Sequence, residues 1–136
     1  MADIQDTSGE MYVAGLGDVD IRDSSGEIEG EGLLGNVRID DNSGEIVLRD
    51  VTGDVEIEDG SGEIEISDIG GAVLLNDGSG EIDVSRVAGT VRVARDGSGS
   101  IEVDDVGGDF IVERDGSGSI EYRNVTGRVD VPRKRR

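Results

Sequence analysis

Aspartate recurs at Asp6, Asp23, Asp41, Asp59, Asp77, Asp96 and Asp115, each time followed by Ser two residues on and Gly three residues on, with steps of 17, 18, 18, 18, 19 and 19. Carboxylates repeated in Gly-rich turns are raw material for calcium binding, because a hard cation takes several oxygen ligands at once. A second acidic column, Glu10, Glu27, Glu45, Glu63 and Glu81, changes to Ser at Ser100 and Ser119. Beside it run Tyr12, Glu29, Val47, Glu65, Asp83, Glu102 and Glu121. Two carboxylates at close range are also the equipment of a glycoside hydrolase, one as acid and one as nucleophile or base. With no His and no Cys in 136 residues, imidazole catalysis, thiol chemistry and most zinc chemistry are removed.

The residues around these acids weigh against both chemistries. In the calcium-binding nonapeptide of repeats-in-toxin proteins the ligand Asp follows the last Gly of the turn by two residues. Matching Gly60 and Gly62 to those glycines puts Ile64 at that place, and the equivalent residue of every other repeat is apolar. The cation candidates that remain are Asp41, Asp59, Asp77, Asp96 and Asp115, and their alternative reading is structural. Asp and Ser side chains accept hydrogen bonds from the turn's own amides two residues on. The glutamate pairs arise by repetition, without an inserted loop or an aromatic platform, and read as a solvated acidic face.

A fixed step of about 18 residues is the mark of stacked repeats, in which each unit buries its apolar face only against its neighbours. The repeat at 59–76 divides into DGSGEIEIS and DIGGAVLLN, two nine-residue halves that each hold a Gly-containing bend and a short alternating strand. Ile64 and Ile66 point inward from the first half, Val73 and Leu75 from the second, and Ile69 occupies the corner between them. Stacking gives inward columns headed by Met11, Val13, Leu16, Val19 and Ile21, ending at Ile120, Tyr122, Val125, Val129 and Val131. Gly30 interrupts one of them and predicts a thin or bulged second coil. Two glycine columns, Gly9 to Gly118 and Gly17 to Gly127, are both expected at positive φ where the chain turns into a strand.

The fold predicted is all-β: a parallel β-solenoid of about seven coils, 17–19 residues each, with two short strands per coil and a right-handed path. At about 4.8 Å per coil the rod is roughly 34 Å long. One domain spans 1–136, ending in a basic tail at 132–136 with Arg133, Lys134, Arg135 and Arg136. A net charge of −19 disfavours nucleic acid and anionic membrane as partners. No apolar run reaches membrane-spanning length, and Met1 to Gly9 lacks the pattern of a signal peptide. Strand edges left open at the first and last coils predict end-to-end or edge-to-edge self-association.

The doublet from Ser43 to Gly62, SGEIVLRDVTGDVEIEDGSG, and the ending VTGRVDVPRKRR from Val125 resemble the bacterial adhesin-type β-strand-repeat proteins grouped with the toastrack solenoids. That resemblance implies a parallel β-solenoid carried outside the cytoplasm, periplasmic or at the cell surface, in adhesion or envelope assemblies, and it carries no catalytic motif or cofactor. The function expected is a non-enzymatic structural or interaction module, an acidic rod that binds a protein or cell-envelope polymer or joins other copies of itself. The alternatives are a divalent-cation-binding repeat protein and a carbohydrate-active enzyme.

Overall fold

The computed structural model describes residues 2–6, 9–15, 17–23, 26–96, 99–113 and 119–130. Strands are numbered in chain order, and alternate strands belong to alternate sheets. The first sheet holds β1 (Ala2–Asp6), β3 (Val19–Asp23), β5 (Val37–Ser43), β7 (Val55–Ser61), β9 (Val73–Asp77), β11 (Val91–Asp96), β13 (Phe110–Val112) and β15 (Val129–Asp130). The second holds β2 (Met11–Ala14), β4 (Ile28–Leu33), β6 (Ile46–Val51), β8 (Ile64–Ile69), β10 (Ile82–Val87), β12 (Ile101–Val106) and β14 (Ile120–Val125). Every pairing is parallel and joins one coil to the next, so the chain is an all-β parallel solenoid with two strands per coil. Eight strands stand against seven because Ala2–Asp6 already forms a strand ahead of the first expected coil.

The apolar columns stack as their spacing requires. Ile46, Ile64, Ile82 and Ile101 pair in line across the second sheet, and Val37, Val55, Val73 and Val91 across the first. Branched aliphatics suit a thin interior between two pleated sheets, and here they form one continuous core. Gly30 does not bulge its coil: Val13, Gly30 and Leu48 keep unbroken register. The expected gap is filled by its neighbours, since a Cβ on Gly30 would lie 2.8 Å from the Leu48 side chain and 3.2 Å from Leu33. A bulge does occur between β9 and β11, where Val93 pairs with Leu75 and Arg95 with Asn76, leaving Ala94 as the extra residue of that 19-residue coil. Leu16, Arg114, Gly118, Val131 and the tail at 132–136 lie outside the described residues.

The two glycine columns serve different ends. Gly9, Gly26, Gly44, Gly62, Gly80 and Gly99 have φ between 102° and 119°, a region closed to other residues. The other column, typified by Gly71, is not among the positive-φ residues, which corrects the expectation for it. Its requirement is closeness. Gly71 donates its amide to the Gly53 carbonyl at 3.1 Å, and a Cβ there would lie 2.7 Å from that oxygen.

Positive φ at the second corner belongs to the residue before the corner position, where Leu33, Val51, Ile69, Val87 and Val106 are buried. Gly15, Gly32, Asp50, Asp68, Arg86, Asp105 and Asn124 all have φ between 52° and 66°. Strand alternation alone would turn Asp68 inward after Ile64 and Ile66. The left-handed residue shifts the phase, so Asp68 faces solvent and Ile69 is buried. Gly, Asp and Asn tolerate that conformation; Arg86 is the exception.

Candidate functional site

The aspartates that opened the sequence reading stand in one line across the first sheet. Asp6 pairs with Asp23, Asp23 with Asp41, Asp41 with Asp59, Asp59 with Asp77 and Asp77 with Asp96, while Asp115 lies outside the described residues. Each is at or near the end of a strand, not in a bend ahead of one. Val55, Ile57 and Asp59 alternate inward along β7, so the carboxylate takes the last inward place before the corner. Asp59 is 3 % exposed and Asp77 0 %. Burial of a carboxylate demands hydrogen bonds to it. At Asp77, Ser79 supplies one, its amide donating to Oδ1 at 3.2 Å, the two-residue turn bond expected from the sequence.

The place where a repeats-in-toxin ligand would stand is occupied by Ile64, 1 % exposed and inside the apolar core. Among the described residues no group of three or more Asp, Glu, His or Cys is placed to hold a metal ion. Asp59 and Asp77, whose side chains are described, line the corner from inside.

The outer acidic columns lie on an open strand face. Glu27, Glu45, Glu63 and Glu81 are exposed, and their carbonyls accept the amides of Met11, Ile28, Ile46 and Ile64 at 2.8 Å, which holds them one coil apart. Neighbouring columns carry cross-coil pairs. Arg49 reaches Glu29 at 3.4 Å and Arg123 reaches Glu102 at 3.6 Å. Arg86 grips Asp68 with Nε at 2.6 Å and a second nitrogen at 3.2 Å, and this hydrogen bonding holds the Asp68 carboxyl below its ordinary value. Tyr12 donates to Glu31 at 3.3 Å, and that carboxylate's charge raises the phenol above its ordinary value. Across the rod, Arg92 meets Glu113 at 2.6 Å. All are exposed pairs, of the kind that tie side chains loosely and add little to stability.

A further polar ladder escaped the sequence reading. Asp18 Oδ1 accepts the Asn36 amide, Asn36 Oδ1 the Asp54 amide and Asp54 Oδ1 the Ala72 amide, each at 2.9 Å. It resumes where Thr90 Oγ1 accepts from Asp109 at 3.3 Å and Asp109 Oδ1 from Arg128 at 2.8 Å. The signal was present, because every second-column Gly is followed by a residue at this position and five of those seven have a short side chain with an acceptor oxygen. The bonds join one coil to the next. Ser119 Oγ and Ser100 Oγ, at 3.5 Å, continue the same habit on the face where Glu gives way to Ser.

No protein-family model, no curated protein and no solved structure matches the chain. No helix among the described residues is long and apolar enough to cross a membrane.

Proposed function

We propose that this chain is a non-enzymatic structural or interaction module, an acidic rod that binds a protein or cell-envelope polymer along its faces. The observation that supports this most is the continuity of the two sheets. The same coil recurs from β3 to β13, the polar ladder runs through it with one break at Ala72, and the side chains that could do chemistry are repeated rather than gathered at one place. A repeated face recognises extended partners, because each coil presents the same groups about 4.8 Å further on. The likeness of residues 43–62 and 125–136 to adhesin-type repeat proteins supports the same reading and favours a setting outside the cytoplasm.

The test is a binding screen of the purified chain against envelope polysaccharides, peptidoglycan fragments and envelope proteins, with product analysis on the same samples. Saturable binding without turnover is the expected result. Turnover of a polymer with no stable complex would contradict the proposal in favour of an enzyme, and calcium-dependent stabilisation would favour the cation-binding alternative.

A further inference from the structure

The outer faces of the two sheets carry their charge differently. On the first, opposite signs are neighbours along the rod: Asp20 stands beside Arg38, Arg38 beside Glu56, and Arg22 beside Asp40. Further on, β9 presents the neutral Leu74 and Asn76. On the second sheet, like signs are stacked. Glu65, Asp83, Glu102 and Glu121 pair in line from β8 to β14, and all four are exposed. Glu27, Glu45, Glu63 and Glu81 form a second exposed line, one residue per coil.

Cations flank that face and leave its middle uncompensated. Arg49 reaches Glu29 on one side and Arg123 reaches Glu102 on the other. On and just ahead of β8 and β10, Glu63, Glu65, Glu81 and Asp83 stand beside Ser67 and Ser85, and Arg86 is turned to Asp68 at the corner. Among the described residues, none of these four carboxylates meets Lys or Arg in an ion pair. Parallel register sets neighbours in a column about 4.8 Å apart, and like charges directly opposite one another destabilise a sheet.

We infer that the stacking of coils through the second sheet is governed by ionic strength, so that the rod reaches its full stability only near molar salt. Two lengths decide this. The screening length is about 8 Å at 0.15 M salt and about 3 Å at 1 M. A column spacing of about 4.8 Å lies between them, so neighbouring carboxylates still repel at 0.15 M and stand more than a screening length apart only well above it. The net charge of −19 adds the same pressure over the whole chain. Slipping the register does not relieve it, because the pairing that aligns Glu65 with Asp83 also aligns Ile64 with Ile82 and Ile66 with Val84 in the core. Relief comes instead from mobile counter-ions, which need no binding site. The effect is independent of what the rod binds.

Thermal melting of the purified chain in a sodium chloride series from about 10 mM to about 1 M tests this, since the screening length falls about tenfold over that range. The midpoint is expected to rise by about 10 °C and to go on rising beyond about 0.15 M, with potassium chloride acting as sodium chloride does. E63Q/E81Q neutralises two exposed, stacked carboxylates of the second sheet, and is expected to melt higher than the parent chain at low salt and to lose part of the salt dependence. D20N/E56Q removes the same number of charges from either side of Arg38, and is expected to melt no higher than the parent chain at low salt. A midpoint that does not move with salt would overturn the inference. So would a salt dependence undiminished in E63Q/E81Q, which would assign it to the strengthening of apolar burial by salt. Equal gains in the two variants would overturn it in favour of net charge alone, and a response confined to one cation in favour of a bound ion.

Discussion

The two corners of a coil are made of nearly the same residues and solve different problems. At the corner entering the second sheet, Asp59 is turned inward and buried, and Gly62 makes the turn at φ 117°. At the corner leaving it, Asp68 is turned outward in the left-handed region at φ 57°, Ile69 is buried, and Gly71 is there for room. Aspartate is thus a corner lining in one place and a phase shifter in the other. Glycine likewise answers to backbone conformation in one place and to close stacking in the other. Composition alone does not say which role a residue has; its distance from the strand end does.

The largest expected effect separates the two glycines. Gly62→Val forces a branched side chain into a glycine-only conformation and against the Gly44 carbonyl, so loss of the cooperative melt, or a loss of at least about 3 kcal/mol, is expected in denaturant titration. Gly71→Ala meets the Asp54 carboxylate, which a small side-chain shift relieves, and the Gly53 oxygen at 2.7 Å, but needs no positive φ, and is expected to cost less than Gly62→Ala in the same titration. Equal costs would remove the distinction between the columns.

Next comes the buried corner side chain. Ile69→Ala is expected to cost about 2–5 kcal/mol, the same range as Ile64→Ala, because the left-handed residue before it delivers Ile69 fully into the core. A cost near zero would mean that the corner is not packed. Smaller again is Asp77→Ala, which removes the acceptor for the Ser79 amide and is expected to cost about 1 kcal/mol, with Asp77→Asn recovering part of it.

The smallest effect concerns Asp68 and Arg86. The Asp68 carboxyl is held below its ordinary value by hydrogen bonding from Arg86, so its contribution to stability is complete above the unfolded carboxylate range and is lost as pH falls through the lowered folded value. Arg86→Gln is expected to return the Asp68 titration, followed by NMR, toward the ordinary range. The acid side of the stability curve should shift only slightly, because the pair is exposed. An unmoved Asp68 titration would show that the ion pair does not persist in solution.

The stacked core was legible in the sequence because a period of two, repeated at a fixed step, leaves only one set of inward columns. Ile46, Ile64 and Ile82 were placed by that rule, and so were Val55 and Val73. What escaped it were features set by backbone geometry between strands. Strand alternation says nothing of the backbone at Asp50, Asp68 and Asp105, although Gly, Asp and Asn recurring at that one place is the composition of a left-handed column. Arg86 hides the pattern further. The acceptors at Asp18, Asn36, Asp54, Thr90 and Asp109 serve amides about 18 residues away, a distance over which local turn rules say nothing. Gly30 looked like a gap because sequence counts missing atoms and does not show that the Leu48 side chain leans into the space. The candidate site divides in the same way. The alignment of the aspartates followed from the step, while their burial at Asp59 and Asp77 required the strand to run on to the corner.

We propose that the aspartate column, buried at Asp59 and Asp77, is a structural corner lining and not a cation site. Thermal melting of the purified chain in excess chelator and then in millimolar calcium, with magnesium at equal ionic strength as the control, tests it most directly. The account predicts the same midpoint in calcium and in magnesium. A rise specific to calcium that is abolished by Asp59→Asn together with Asp77→Asn would contradict it.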